Sequence, residues 1–313
     1  MRLAGIAVLA IVIGACRTAA VGQAPTTLAV TPLFGPVIGE EVIAGRAEDR
    51  GIVLLAGGID LVRVDLHARL AERRHLAIPP GESCWALARL DSGSIWTLKG
   101  RHRLARIGTD GRILEEVALA APHFGVFAAG NRLVYQEATF SSPGPALQVG
   151  SPDGSRRMPW STITTRSFDR IARASTAVLN MVSCGTTRRG ERPCWFPDEA
   201  AVFLVDPEGA TRRVELSGLA VVPPETLLTA ENPPRPVRDA SVDASGDIWI
   251  LSTGTPPAGI GSTGGWTVAR YGPRGEPKGQ SRLALAARLI LGVDDDHLTL
   301  LLSSGYVGEV RRW

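Results

Sequence analysis

Lysine is almost absent from this chain of 313 residues: Lys99 and Lys278 are its only lysines, so arginine carries nearly all of its positive charge. An excess of one sign is also lacking, because 34 basic residues are set against 31 acidic ones and the formal net charge is +3. Nucleic-acid binding needs clustered excess positive charge, whereas acidic residues are interleaved with the arginines along the whole sequence. The charge pattern therefore argues against a nucleic-acid partner.

Long helical periodicity is missing as well. No stretch after the N-terminal apolar run keeps an amphipathic period of 3.6 residues for long. Short apolar or alternating runs recur instead between turn residues, in a chain with 35 glycines and 22 prolines. The pattern predicts an all-β fold, and a hydrophobic content of 44% is enough for the core of one large domain.

The N-terminus has the features of an export signal. The apolar run of residues 3–15 follows Arg2 and is too short to span a bilayer. Its end, Ile13-Gly14-Ala15-Cys16, resembles the lipobox of bacterial lipoproteins, in which the cysteine is acylated and becomes the new N-terminus. The resemblance implies a signal peptide at 1–15, lipidation of Cys16, a tether at 16–27 and a lipid-anchored location in the bacterial cell envelope, facing the periplasm or the exterior. The alternative is a plain signal peptide cleaved near residues 22–24.

The remaining cysteines suit an oxidising compartment. Cys184 and Cys194 could close a short loop with a disulfide worth on the order of 2–3 kcal/mol. Cys84, beside Trp85 in an apolar strand, is expected to be a buried free thiol. A zinc site is disfavoured because the sequence has no C-x-x-C pair and no histidine near Cys184 and Cys194.

Two stretches, residues 90–98 (LDSGSIWTL) and 242–251 (VDASGDIWIL), are nearly identical in pattern. Between and after them recurs a second pattern of an apolar strand, a turn and a charged outgoing strand, with turn glycines at Gly111, Gly154, Gly209 and Gly275. Units of about 40–50 residues with four strands are typical of β-propeller blades. Trp96 and Trp249 are then expected to pack between blades, three units apart.

We therefore predict a six-bladed β-propeller at residues 28–313, with seven blades as the less favoured count. The last unit has room for only three strands, and residues 27–33 (TLAVTPL) offer a lone apolar strand. Pairing of that N-terminal strand with the last unit would complete the sixth blade and remove an exposed sheet edge.

The Asp-x-x-Gly-x-Ile-Trp pattern resembles that of six-bladed propellers of the NHL-repeat and gluconolactonase-like, or senescence-marker-like, kind. This resemblance implies an alternative function as a metal-dependent hydrolase or lyase. Under it, calcium or another divalent cation would be bound by Glu40 or Glu41, by Asn232 or Asn180, and by Asp239 or Asp294. The related streptogramin lyases use a histidine and a carboxylate, for which His123 is the candidate histidine.

Propeller ligands usually meet the inner strands at one end of the central channel. Arginines with a few carboxylates there would suit a small anionic or sugar-like ligand, although solvated loop residues or structural ion pairs explain the same pattern. The candidate ligand-binding residues are Glu41, Arg89, His123, Arg170, Asp239 and Arg288.

The fourth unit carries an insertion between Cys184 and Cys194, with a compact basic patch that includes Arg188, Arg189 and Arg192. Its default explanation is a solvated charged loop, and the sharper hypothesis is a contact site for an acidic partner or a lipid headgroup. Trp195, beside the insertion, belongs to that candidate contact. Of the other tryptophans outside the repeated pattern, those inside apolar strands are expected to pack between blades. We expect an exported ligand- or protein-binding module without a cofactor rather than an enzyme.

Overall fold

The computed structural model describes residues 27–34, 42–47, 51–65, 68, 70–120, 123–129, 131–137, 146–150, 156–159, 183–187, 191–206, 210–223, 225–226, 234, 236–253, 265–294 and 297–311. The predicted signal peptide, Cys16 and most of the tether lie outside these ranges. Among the described residues no helix is long and apolar enough to cross a membrane.

Apart from turns, connecting residues and two helical residues at 225–226, the described residues form strands. In chain order these are β1 (Thr27–Leu28), β2 (Thr31–Phe34), β3 (Val42–Ala47), β4 (Gly51–Ala56), β5 (Asp60–Asp65), β6 (Leu70–His75), β7 (Cys84–Arg89), β8 (Ile95–Lys99), β9 (Arg103–Ile107), β10 (Ile113–Ala118), β11 (His123–Ala129), β12 (Arg132–Glu137), β13 (Ala146–Gly150), β14 (Arg156–Pro159), β15 (Ser183–Cys184), β16 (Thr186–Thr187), β17 (Arg192–Trp195), β18 (Ala201–Val205), β19 (Thr211–Glu215), β20 (Val237–Val242), β21 (Ile248–Thr253), β22 (Trp266–Tyr271), β23 (Pro277–Leu283), β24 (Ala287–Val293), β25 (His297–Leu302) and β26 (Val307–Arg311).

These strands form six sheets, which we number along the chain. Sheet 1 is β3–β6, sheet 2 is β7–β10, sheet 3 is β11–β14, and sheet 4 is β15 with β17–β19. Sheet 5 is β20–β23, extended to six strands by β16 and β1, and sheet 6 is β24–β26 with β2. In each sheet the four strands of the regular unit pair antiparallel, which is the propeller arrangement, and only the added strands β1 and β16 of sheet 5 pair parallel among the described residues. The described residues contain no seventh sheet.

Apolar packing joins neighbouring sheets face to face. One cluster joins sheets 1 and 2 through Leu55 and Leu87, and another joins sheets 5 and 6 through Trp249 and Leu300. A further cluster joins the last sheet to the first, because Leu291 packs with Ile52 and Leu54. Both faces of each of these strands are therefore covered, which explains why the strands are apolar at consecutive positions instead of alternating.

The repeated Ile-Trp pattern is a turn followed by a packed strand. In the first copy the Leu90 N–H donates to the Ser94 carbonyl, and in the second the Asp243 N–H donates to the Asp247 carbonyl. Gly246, in the second of these turns, has φ 87°, a left-handed conformation that favours glycine. Trp96 and Trp249 are both buried against the following sheet, three sheets apart, in the packing role expected from the sequence.

The N-terminal stretch differs from the single strand expected at residues 27–33. Its first part, β1, pairs parallel with β23 on the outer edge of sheet 5. Its second part, β2, pairs antiparallel with β26 and is the fourth strand of sheet 6. Val30, between the two parts, is buried in the cluster between sheets 5 and 6, so the stretch bridges both outer edges.

The innermost strand of sheet 4 also differs from a regular blade. After β15, which pairs with β17, the chain continues as β16, which pairs parallel with the inner strand β20 of sheet 5. A β-carbon on Gly185 would lie 1.7 Å from the Ala240 carbonyl oxygen, so only glycine fits at this crossing. The inner strands of sheets 4 and 5 are thus joined by backbone hydrogen bonds.

Candidate binding site at the channel mouth

The inner strands of the sheets lie against one another around the centre. β3 contacts β7 and β24, β7 also contacts β11, and β24 contacts β20. Because each sheet repeats the same antiparallel order, these inner strands all begin at the same end of the ring. The loops that join second to third strands, and those that join one sheet to the next, lie at that end too. We call this end the channel mouth.

Every one of these five inner strands has a β-bulge in its first residues. The pairing with the second strand shifts register between Val42 and Ala44 in β3, Cys84 and Leu87 in β7, His123 and Gly125 in β11, Val237 and Asp239 in β20, and Ala287 and Leu289 in β24. A bulge leaves residues out of the ladder and re-aims their side chains, and bulges are frequent beside binding sites. Trp85, Arg238 and Arg288 lie at three of these bulges.

Sheet 2 presents an arginine–tryptophan pair at the mouth. The apolar run around Trp85 predicts a packed side chain, yet the residue is 50% exposed. The guanidinium carbon of Arg101, in the loop between β8 and β9, lies 5.8 Å from the centre of the Trp85 ring. This is the range of a cation–π interaction, which is stabilising even at exposed sites.

Sheet 5 presents a second pair of the same composition. Arg238, exposed on the bulge of β20, has its guanidinium carbon 5.9 Å from the ring centre of Trp266, the first residue of β22. In sheet 5 the arginine lies on the inner strand and the tryptophan begins the third strand. In sheet 2 the arrangement is reversed, because the tryptophan lies on the inner strand and the arginine in the loop before the third strand. The connectors beside this sheet add the exposed apolar side chains of Val221 and Leu285.

Three described carboxylates near the mouth, those of Glu82, Glu116 and Asp239, are engaged by other groups. The buried Lys99 lies 2.5 Å from Glu116 and 2.9 Å from Glu82. Burial alone would lower the pKa of Lys99, but the hydrogen bonds to Glu116 and Glu82 raise it above its ordinary value. Asp239 accepts hydrogen bonds from the backbone N–H groups of Ile290, at 2.7 Å, and Ala240, at 2.9 Å.

Asp198 is the described carboxyl near the mouth with a perturbed pKa. It lies in the loop between β17 and β18, and its Oδ2 atom is buried without a hydrogen-bond partner among the described residues. Burial raises the pKa of Asp198 above its ordinary value, because the charged form is desolvated. The neighbouring Glu199 is buried and forms an ion pair with Arg213 at 3.2 Å.

The predicted ligand-binding residues are only partly brought together. Arg288 and Asp239 lie near the mouth, and His123 begins β11 at the same end. Arg89 is the last residue of β7, so it lies at the opposite end of the channel from Arg288 and Asp239. Asp239 binds the backbone N–H groups of two inner strands and so joins sheets 5 and 6. Glu41 and Arg170 lie outside the described residues, as does the side chain of His123.

The predicted partner contact in the insertion needs a correction. Arg192 is 2% exposed and Trp195 is 4% exposed, so neither can meet a partner at the surface. Trp195 packs between sheets 4 and 5 with Val202 and Val237. Arg188 and Arg189 lie outside the described residues. A short segment rich in arginine and glycine is typical of a solvent-exposed loop, which is why the sequence predicts a surface contact here. In the structure the Cys184–Cys194 segment instead contributes residues to β15 and β17, the two inner strands of sheet 4.

Arg192 instead joins sheets 3 and 4. Its Nε donates to the Ala128 carbonyl at 2.6 Å, and its Nη1 donates to the Gly185 carbonyl. Its guanidinium carbon lies 5.3 Å from the ring centre of Phe127. A disulfide joins Cys184 and Cys194 two residues away, across the β15–β17 pair. Cys84 is the buried free thiol in sheet 2, and burial raises its pKa.

The described residues contain no group of three or more His, Cys, Asp or Glu side chains able to hold a metal ion. Of the ligand set implied by the hydrolase alternative, Glu40, Glu41, Asn180 and Asn232 lie outside the described residues. Asp294 follows β24 at the end opposite the mouth, where it accepts a hydrogen bond from the His297 N–H at 2.6 Å. Asp239 and Asp294 therefore lie at opposite ends of the channel.

A scan against protein-family models and a search of curated proteins found no match. The fold is similar to several solved structures. A catalytically inactive virginiamycin B lyase from Staphylococcus aureus, with quinupristin, has a TM-score of 0.55 and 11% identity over 88% of this chain and 82% of that chain. The WD40 repeats of RRP9 have a TM-score of 0.55 and 10% identity over 93% and 99% of the two chains.

A gluconolactonase from Xanthomonas campestris is similar to the same extent, with a TM-score of 0.52 and 12% identity over 88% of each chain. At such identities the likeness shows the fold alone. The prediction of an all-β propeller is confirmed.

Removing the Arg192 side chain tests its role between sheets. We expect Arg192→Ala to lower the free energy of unfolding by about 3 kcal/mol, because the buried carbonyls of Ala128 and Gly185 lose their donor. Urea denaturation of the full chain measures this. The matched control is Arg112→Ala, at a side chain that is 80% exposed, which should change stability by less than about 0.5 kcal/mol. Equal effects of the two variants would contradict the assignment.

Asp198 gives a prediction for pH. Because its pKa is raised in the folded state, protonated Asp198 stabilises the fold, and that stabilisation is lost as the pH rises through the folded pKa. Asp198→Asn should therefore be more stable than the wild type at neutral pH, with the difference vanishing below the unfolded pKa. Thermal melting across pH measures this, with Asp91→Asn in an exposed turn as the control. A pH-independent difference would refute the desolvation argument.

Proposed function

We propose that the chain is an exported, lipid-anchored, six-bladed propeller that binds a partner protein at the channel mouth. The observation that carries the proposal is the repeated bulge at the start of the inner strands, together with the two arginine–tryptophan pairs at this end. Tryptophan and arginine are the residues most enriched at the energetic centres of protein interfaces.

The count of six blades is supported by the six sheets and by the packing of the last sheet on the first. Five sheets have the regular four strands, and sheet 5 has the same four consecutive strands with a short parallel strand added at each edge. The N-terminal strand β2 occupies the outer edge of sheet 6, where it completes the fourth strand. We propose that this pairing closes the ring.

Binding is favoured over hydrolysis by the state of the carboxylates. A divalent cation needs oxygen ligands that converge and are not otherwise engaged. Asp239 is occupied by two backbone N–H groups, and Asp294 lies at the far end of the channel. The similar folds include a lyase, a lactonase and WD40 repeats, so the fold by itself does not decide between catalysis and binding.

Export is supported by two independent features. Residues 1–15 and Cys16 have the order of a lipoprotein signal, and the Cys184–Cys194 disulfide suits an oxidising compartment outside the cytoplasm. Diacylation of Cys16 together with acylation of its new N-terminal amine would give stable anchoring to the membrane. A single acyl chain would anchor the protein only marginally.

Photo-crosslinking in intact bacteria tests the proposal. A photoreactive amino acid replaces Val221, exposed in the connector beside sheet 5 at the mouth, or Arg112 at the opposite end, in the full chain. We expect one defined adduct from position 221, recovered with the membrane fraction, and none from position 112. The adduct should disappear when Trp85→Ala is added and persist with Leu114→Ala, an exposed control far from the mouth.

Two results would contradict the proposal. Equal adducts from both positions, or an adduct insensitive to Trp85→Ala, would remove the mouth as the binding site. The same cells test the anchor, because Cys16→Ser should move the protein to the soluble fraction, and unchanged membrane recovery would refute lipidation at that residue.

A further inference from the structure

The chemistry of the mouth indicates which kind of partner it fits. Glu82 and Glu116 are paired with Lys99, and Asp239 is held by backbone N–H groups, so these carboxylates do not offer negative charge to a ligand. Arg238 is exposed there, and its contact is with the face of the Trp266 ring. Among the described residues at the mouth, Arg101 and Arg238 thus present guanidinium groups, whose positive charge favours a negatively charged ligand.

An arginine that lies over an aromatic ring is well prepared to bind a carboxylate. The guanidinium group is planar, and its N–H donors point outward within that plane. This fork matches the two oxygens of a carboxylate, and an aromatic ring nearby attracts the positive charge without using any of the N–H donors. Arg238, exposed and with its guanidinium carbon 5.9 Å from the ring centre of Trp266, therefore offers N–H donors beside an apolar indole.

The spacing of the pairs distinguishes an extended ligand from a small one. The Arg238–Trp266 pair belongs to sheet 5 and the Trp85–Arg101 pair to sheet 2, three sheets apart in the ring. A single small anion can meet one pair but not both. A peptide that crosses the mouth can meet both pairs, and the exposed side chain of Leu285 adds an apolar contact beside it.

We propose that the mouth binds an acidic peptide segment of a partner protein, with a carboxylate on the edge of Arg238 and an apolar or aromatic side chain on Trp85. This inference rests on the proposed binding function and adds the chemical class of the partner. The segment lies across the mouth from sheet 2 to sheet 5.

Fluorescence anisotropy with defined probes tests this on the full chain in detergent micelles. The probes are a labelled glutamate-rich peptide with one central tryptophan, the same peptide with glutamine at every glutamate, and citrate as an unlabelled competitor. We expect the glutamate peptide to bind at least about tenfold more tightly than the glutamine peptide, and binding to weaken as salt is raised. Citrate should compete only weakly.

Variants assign the binding to named groups. Arg238→Ala and Trp85→Ala should each weaken the glutamate peptide by about tenfold, the size expected at the centre of an interface. Arg238→Lys should also weaken it, because the charge is kept but the planar fork is lost. Arg112→Ala and Leu114→Ala are the matched exposed controls and should leave binding unchanged, and melting temperatures verify that every variant folds.

The unfavourable outcomes separate this inference from the proposed function. Equal binding of the glutamate and glutamine peptides that is still lost in Trp85→Ala would overturn the acidic partner and keep the mouth as the site. Strong competition by citrate would overturn the acidic peptide as the ligand and indicate a small anion in its place. No binding of either peptide would overturn the inference while the crosslinking result stands on its own. Binding that no mouth variant alters would overturn both.

Discussion

The packing of each sheet on the next is the interaction on which the rest of the structure depends. No single sheet here has an apolar face that it can cover by itself, so each is stable only between two neighbours. Leu291 of the last sheet packs with Ile52 and Leu54 of the first, which carries the same packing around to the start of the chain. Because the packing holds the inner strands side by side, it also brings their first residues to one end, where bulges turn tryptophan and arginine outward.

Arg192 adds polar contacts at the join between sheets 3 and 4. Its Nε donates across the join to the Ala128 carbonyl of sheet 3, and its Nη1 donates to the Gly185 carbonyl on its own side. The Cys184–Cys194 disulfide holds the strand pair from which Arg192 projects. On the other side of sheet 4, β16 pairs directly with β20. A buried arginine that loses its partners is costly, so this join tolerates little change. The insertion is thereby a structural part of the ring.

The elements of the fold that depend on a local residue pattern could be predicted from the sequence. The Ile-Trp strands and their turns could be predicted because turn glycines and consecutive apolar residues are visible in the chain itself. The split of the N-terminal stretch into β1 and β2 could not, since it depends on the outer edges of two sheets far along the chain. Trp85 stands in an apolar run typical of a core residue, and only the bulge in β7 turns it to solvent. The buried, sheet-joining role of Arg192 could not be predicted because its partner Ala128 is 64 residues away in the chain.

The closed ring is the central claim, and amide hydrogen exchange of Leu291→Ala tests it most directly. This substitution removes buried side-chain atoms at the contact between the last and first sheets and should cost about 3 kcal/mol. If the two sheets are packed as described, exchange will accelerate both in β24 and in β4, while β12 keeps the rate of the wild type. Val202→Ala, between sheets 4 and 5, is the control and should leave β4 unchanged. Faster exchange confined to sheet 6, with β4 as protected as in the wild type, would contradict a ring closed through this contact.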